Sequence, residues 1–581
     1  MRKFLLLLLF WGGGLQAQTI WVSGAVEDSI SHRPVSGVQV KVIDDTTNVV
    51  TNAFGLFKIV IPRATATLLL TQNGYLPKEI TVSKYDRLLI TLSPLRKDTD
   101  PIALAKARSK MLHSSNPNYG NTSMGIHSFY NETYGTTYEN KFVRTESHPL
   151  STFAIDVDRA AYSNIRRFLR LKEPVPVDAV RIEEMINYFH YDYPLPLQGQ
   201  DMALYSHYTT CPWETSHRLL QIAIRARALE TDSFPANNLV FLIDVSGSMG
   251  TPNKLPLLQA AFRILVNNLR PADKVAIVAY AGEPGVLLPA TGGDQKAKIL
   301  NAIDNLNAGG STAGEAAIKM AYRIAVEQYI PDGNNRVILA TDGDFNVGLS
   351  SDEEMEQLIL QQKESGVLLT CLGFGMKNYK DSKLQSLASK GNGNFAYIDD
   401  LEEANKIFAR EFGSTLFTIA RDVQSEVCFN PALVKSYRLI GYENKVLPPD
   451  TTIKTEYSGG IIGSGHCSVA LYEIVPTATA LPADTILAHV KISYRAPQDT
   501  AVRYLSGDIP AAWKNFDQAS EDCRFATAVA LLGMVLRKSA YCGKGDTDMV
   551  MEMARNALGK DEGHYREEFL KMVKMVRKVK R

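Results

Sequence analysis

The sequence predicts a multidomain α/β plus β protein: a doubly wound α/β domain inserted in a β-sandwich, with a small β-sandwich before it and a helical region after it. Three observations lead there. Between about Asn238 and Phe412 apolar strands alternate with amphipathic helices, the pattern of a mostly parallel sheet covered on both faces. Segments with β patterning, 205–228 and 423–494, flank that region on both sides, as they would in one sandwich interrupted by an insertion. The length, 581 residues with 45% hydrophobic content, exceeds what one core holds, since single cores rarely grow past about 250–300 residues.

In chain order, Met1-Arg2-Lys3 precedes an apolar run over 4–11, and the small residue Ala17 follows Leu15-Gln16. This is the layout of a signal peptide, 1–17, cleaved near Ala17, so the expectation is export to the periplasm or cell surface. The apolar run is shorter than the roughly 20 residues that span a bilayer, and no later stretch is apolar enough to serve as a membrane segment. No cysteine precedes Cys211, which excludes a lipid-bearing cysteine at the cleavage point.

Residues 20–95 alternate in short runs (Val38, Val40, Val42; Phe57, Ile59, Ile61) separated by turn signals such as Asn73-Gly74, as in a small β-sandwich. Residues 96–147 are polar and aperiodic and read as a linker, tyrosines 119–138 included. A collar and β segment, 148–235, carries helical stretches at 159–171 and 178–188. The α/β domain, 236–414, has strands at 239–243, 275–279, 286–288, 337–340, 367–374 and 395–398, with helices at 255–269, 295–306, 314–329 and 353–365. A second sandwich segment, 415–510, precedes C-terminal helices at 511–581, of which 525–536 is strongly apolar.

Lys plus Arg (63) nearly balances Asp plus Glu (62), so no long-range field favours nucleic acid or an anionic membrane. The basic stripe from Lys571 to Arg581 reads as the solvated face of a terminal helix. Six scattered cysteines form none of the close pairs of a zinc or redox motif. Cys371, inside an apolar strand, reads as a free buried thiol, and Cys523 and Cys542 are candidates to bridge two helices.

In open α/β sheets ligands bind beyond the carboxyl ends of the strands, where strand order reverses. The first strand of the domain runs into Asp244-Val245-Ser246-Gly247-Ser248, a later loop reads Gly309-Gly310-Ser311-Thr312, and a further strand ends in Thr341-Asp342-Gly343-Asp344. Asp244, Ser246, Ser248, Thr312 and Asp342 can converge on one point, and an oxygen-only set of this kind suits Mg²⁺, Ca²⁺ or Mn²⁺ over zinc or copper. Alone, Asp-x-Ser-x-Ser is commonly a turn or helix cap. The three loops together, in this order, point to a metal site, with Asp344 assigned to capping the next helix.

On these motifs the domain resembles the von Willebrand factor type A (VWA) family, whose metal-ion-dependent adhesion site (MIDAS) has the pattern Asp-x-Ser-x-Ser, a distant Thr and a distant Asp. The resemblance implies direct contacts to a cation, Mg²⁺ first, from Ser246, Ser248 and Thr312, water-mediated ones from Asp244 and Asp342, and a coordination position for a partner's Asp or Glu. Ser151-Thr152-Phe153, Arg181-Ile182-Glu183-Glu184-Met185-Ile186-Asn187-Tyr188-Phe189 and Cys211-Pro212-Trp213 resemble the exported bacterial VWA proteins of the YfbK type. Gly24-x-Val26-x-Asp28, Pro34-Val35-Ser36-Gly37-Val38 and Gly74-Tyr75 resemble the carboxypeptidase regulatory-like domain, a transthyretin-like sandwich without catalytic residues.

No histidine lies between His217 and His466, so the α/β domain supplies neither a Ser-His-Asp triad nor a His-ligated zinc, and no Gly-x-Ser-x-Gly or phosphate loop occurs. Glu183-Glu184 reads as a solvated helix face rather than a carboxylate pair. The expectation is therefore a non-enzymatic, metal-dependent protein-binding module of the cell envelope, for adhesion or assembly. The alternative is a structural or assembly protein in which the metal only holds the loops together.

Overall fold

The computed structural model describes residues 20–94 and 132–579, except 30–33, 44, 46, 53–54, 84–86, 133, 135–136, 156–157, 231–233, 282, 310–313, 344–351, 377–380, 444–459, 479–481, 483 and 498. The expected signal segment, 1–17, lies outside the described residues. The chain forms two compact units, Met1–Ile126 and His127–Arg581.

In the first unit, Ile20–Asp28 pairs with Leu56–Ile61 and Arg87–Leu92 in one sheet, and Asn48–Val50, Gln39–Val42, Thr65–Thr71 and Lys78–Ser83 make another. Alternate side chains of both sheets, among them Val22, Val26, Val40, Phe57, Ile59, Leu68 and Leu70, form one core. The period-two pattern of the sequence thus becomes a small two-sheet sandwich.

The second unit contains the inserted domain. Its strands are β1 (Asn237–Asp244), β2 (Lys274–Ala281), β3 (Glu283–Gly292), β4 (Asn334–Thr341), β5 (Leu368–Phe374) and β6 (Phe395–Ile398), lying side by side in the order β3-β2-β1-β4-β5-β6. All pairings are parallel except that of β3, which returns antiparallel on the edge. Every residue of β1 and β4 is buried, as continuous apolar strands require in a sheet covered on both faces. Helix α1 (Leu255–Asn267) carries Pro256 in its first turn and buries Leu258, Ala261, Phe262, Leu265 and Val266 along one stripe. Helices α2 (Lys296–Asp304), α3 (Gly314–Glu327), α4 (Asp352–Lys363) and α5 (Asp381–Lys390), with the helical segment 401–410, form the two covering layers, and neither α5 nor 401–410 was singled out by the hydrophobic pattern.

Around this insertion, Met202–Thr210 and Arg218–Ala226 join Cys467–Pro476, Val434–Ile440 and Val143–Arg144 in one sheet. Thr418–Phe429 pairs with Leu150–Ala154, Gly460–Gly463 and Ile486–Arg495 in the other. Strands from before and after the α/β domain therefore share ladders, Arg218–Arg225 lying antiparallel to Ile474–Cys467, and the two sheets close over one core. Helices Ala160–Arg170, Ile182–Asn187, Glu521–Arg537, Thr547–Arg555 and Tyr565–Val579 cover the outer face of the first sheet.

Three expectations are corrected. Part of the segment read as a linker, 96–147, belongs to the fold: Val143–Arg144 pairs with Tyr437 and Ser436, and Glu132 holds Arg167 through two bonds of 2.7 Å. Glu183 and Glu184 are buried rather than solvated, because Glu183 accepts from Tyr442 N (2.9 Å) and Glu184 from Ala161 N (2.9 Å) and from Arg181. No disulfide joins Cys523 to Cys542, and Cys371 is buried as expected. Among the described residues no helix is long and apolar enough to cross a membrane.

The collar is fastened to the domain by charge. Arg166 donates to Asp399 (2.9 Å) just after β6, to Glu403 (2.7 Å) in the following helix and to Glu568 (2.9 Å) in the last helix. Arg166→Met removes the buried cation that all three carboxylates share and leaves Asp399 and Glu568 with the more exposed Arg170. Stability should fall by about 3–5 kcal/mol in chemical denaturation, and an unchanged midpoint would show that the network is not what joins these elements.

Candidate metal centre

Strand order reverses between β1 and β4, so their carboxyl ends open a crevice between two adjacent loops. Asp244 is the last residue of β1, and the chain then turns through Val245 and Ser246 into the short helical turn Gly247–Gly250. Ser246 N donates to Asp244 Oδ1 at 2.9 Å, which folds the loop back on its own carboxylate. Thr341, the last residue of β4, donates its hydroxyl to Asp244 Oδ2 at 2.9 Å and accepts from Gly343 N at 3.1 Å. Gly343 has φ +89°, which suits glycine and turns the chain immediately after Asp342.

The side chains meet at the crevice. The Ser246 and Ser248 hydroxyls are 3.1 Å apart, and Ser248 Oγ donates to Asp342 Oδ2 at 2.7 Å across 94 residues of sequence. Lys254 Nζ donates to the same carboxylate oxygen at 2.8 Å. Gly309 N donates to Val245 O at 2.7 Å, which ties the start of the third loop to the first. Asp244, Ser246, Ser248 and Asp342 thus form one connected set, while Thr312 and Asp344 lie outside the described residues.

Asp244 and Asp342 are 0% and 1% exposed. Burial, and after it the neighbouring Asp342 charge, push the Asp244 carboxyl above its ordinary range against the pull of its bonds from Ser246 and Thr341. Burial, followed by the Asp244 charge, likewise drives the Tyr280 phenol well above its usual value. The crevice is therefore rich in negative potential and poor in solvent.

The donor chemistry fits a hard divalent cation. Ser246, Ser248 and Asp342 present only hydroxyl and carboxylate oxygens within hydrogen-bond reach of one another, the ligand type that Mg²⁺, Ca²⁺ and Mn²⁺ prefer. Among the described residues no cluster of three or more His, Cys, Asp or Glu side chains is arranged to hold a metal, so hydroxyls are the distinguishing element of this set. Sequence reasoning missed Lys254 and Thr341 as members. A lysine directly before the Pro-containing first turn of an amphipathic helix, and a hydroxyl ending an apolar strand, were the signals available.

Comparison with known proteins places these features in a family. The von Willebrand factor type A domain family matches residues 238–410, a von Willebrand factor family matches 128–221, and the family described as "Uncharacterized protein YfbK, C-terminal" matches 414–579. The chain is 35% identical over 503 residues to "Uncharacterized protein YfbK" of Escherichia coli (strain K12), covering 82% of this chain and 84% of that protein. It is 28% identical over 199 residues to "Uncharacterized protein sll0103" of Synechocystis, covering 34% of this chain and 46% of that one. A solved von Willebrand factor type A structure from Catenulispora acidiphila is similar at a TM-score of 0.38 and 17% identity, covering 64% of this chain and 89% of that chain.

Thr341→Val keeps the side-chain shape and removes a donor from buried Asp244. It should lower stability by about 1–3 kcal/mol in denaturant titration; an unchanged midpoint would mean that the Thr341 bond carries no weight in holding the two loops.

Proposed function

The chain belongs to the YfbK family of VWA-domain proteins, and from that premise we propose that it is a metal-dependent protein-binding module of the cell envelope, serving adhesion or assembly. VWA domains mediate protein interactions, and in this reading the partner presents an Asp or Glu carboxylate at a cation held by Asp244, Ser246, Ser248, Thr312 and Asp342. One observation carries it: four of those five side chains stand in a single hydrogen-bonded set at the carboxyl ends of β1 and β4.

Ser246, Ser248 and Thr312 would touch the cation directly, and Asp244 and Asp342 would act through water. Mg²⁺ is the first candidate, Ca²⁺ and Mn²⁺ the alternatives. When bound, the cation supplies an electrophilic position that a carboxylate from outside can fill. Asp244 and Asp342 are the only two carboxylates of the five-residue set, so a dication is not over-neutralised by its own ligands.

The reading assigns no catalysis, nucleic-acid binding or integral membrane segment to the mature chain. It also takes the chain to be exported through a cleaved signal peptide, and the N-terminal sandwich to be a carboxypeptidase regulatory-like addition to the family's core. A purely structural role for the metal is the weaker alternative. The loops are already joined by Ser248 to Asp342, Thr341 to Asp244 and Gly309 to Val245, so holding them together does not call for a cation.

The full chain, immobilised and exposed to envelope extract, should retain a partner in Mg²⁺ and release it in EDTA. Ser248→Ala should capture at least about tenfold less, as expected for a lost interaction of 1.4 kcal/mol or more, under conditions where the variant, less stable for the lost bond to Asp342, is still folded by circular dichroism. Capture that persists undiminished in EDTA would refute metal-mediated binding.

A further inference from the structure

We propose that Lys254 is a built-in counter-cation of the candidate metal centre, placed to weaken the hold of Asp342 on a dication and to keep the apo site intact. The inference rests on the metal reading above and goes beyond it, because none of the five motif positions includes a basic residue.

The geometry is specific. Lys254 is 6% exposed, and a lysine is almost never that buried unless its charge is paired. Its ammonium meets Asp342 Oδ2 at 2.8 Å, the same oxygen that accepts from Ser248. The stem reaches that point over Gly375, the residue after β5, where a Cβ would collide with Cγ, Cδ and Cε of Lys254. Gly375 has φ +80°, a conformation that suits glycine, and its carbonyl accepts from the Tyr397 hydroxyl, which fixes the backbone beside the lysine stem. The lysine is thus seated by three separate parts of the sheet: the loop after β1, the end of β4 and the end of β5.

Charge counting gives the consequence. Asp244 and Asp342 alone amount to two negative charges, and Lys254 reduces the sum to one. A dication then converts the site from net negative to net positive, whereas without Lys254 the loaded site would be neutral. Affinity for hard cations follows the charge of the ligand set, so Lys254 makes the metal weaker and the loaded site more electrophilic than the motif alone would. In the apo state the same ammonium compensates a buried carboxylate that would otherwise repel its neighbour.

The test is titration of the full chain with Mn²⁺ alone, reading free Mn²⁺ by electron paramagnetic resonance. The parent should bind one Mn²⁺, Lys254→Met should bind it about tenfold more tightly, and Lys254→Arg, which keeps the charge, should stay within about twofold of the parent. Lys254→Gln serves as the neutral variant if the methionine form does not fold. Equal or weaker Mn²⁺ binding by the folded neutral variant, with binding by the parent intact, overturns the role of Lys254 and leaves the metal reading standing. Failure of the parent to bind Mn²⁺ overturns both.

Discussion

Asp244 and Asp342 stand buried at the carboxyl ends of β1 and β4, beside each other because the sheet order reverses between those strands, and a buried carboxylate costs several kcal/mol unless donors meet it. The surroundings are organised by that cost. Thr341 ends its strand with a hydroxyl aimed at one carboxylate, Ser246 folds its amide back on the same group, and Ser248 and Lys254 converge on the other. Each bond spans a loop or joins two, so satisfying the charges also fixes the loops.

The rest of the unit acts as a mount for this crevice. The sandwich is continuous across the insertion, since strands preceding the α/β domain pair directly with strands following it, and both ends of the domain are anchored in one core. The crevice lies at the opposite end of β1 and β4 from Asn237 and Asn334, whose side chains are bonded to each other at 2.8 Å. Arg166, holding Asp399, Glu403 and Glu568, adds a second fastening between the collar helix, the region after β6 and the last helix. The VWA domain is thus joined to the rest of its unit at two places, the sandwich core and the Arg166 network.

Much of this was legible in the sequence. Continuous apolar strands such as 239–243 and 337–340 have no surface face to leave polar, so they announce a covered parallel sheet, and the polar residues that end them stand out against that background. The candidate set Asp244, Ser246, Ser248, Thr312 and Asp342 was picked out on that basis, and four of the five stand in one hydrogen-bonded set while Thr312 lies outside the described residues. The surroundings of Glu183 and Glu184, which read as a solvated helix face, and of Lys254, which was passed over, were not legible, because their partners arrive from far along the chain: Tyr442 for Glu183, Asp381 beside Glu184 on the shared Arg181, and Asp342 for Lys254. Local periodicity carries no information about such pairings. The segment holding Val143 and Arg144 escaped for a related reason, since two residues of edge strand leave no period to detect.

The central claim is that oxygens from separate loops share one cation at the reversal point of the sheet. Anomalous diffraction from crystals of the full chain soaked in Mn²⁺ tests it most directly. The account predicts one strong peak within about 2.0–2.6 Å of the Ser246 and Ser248 hydroxyls and of Thr312. A difference map with no peak there, or a peak bound elsewhere with these hydroxyls still bonded only to each other and to Asp342, would contradict it.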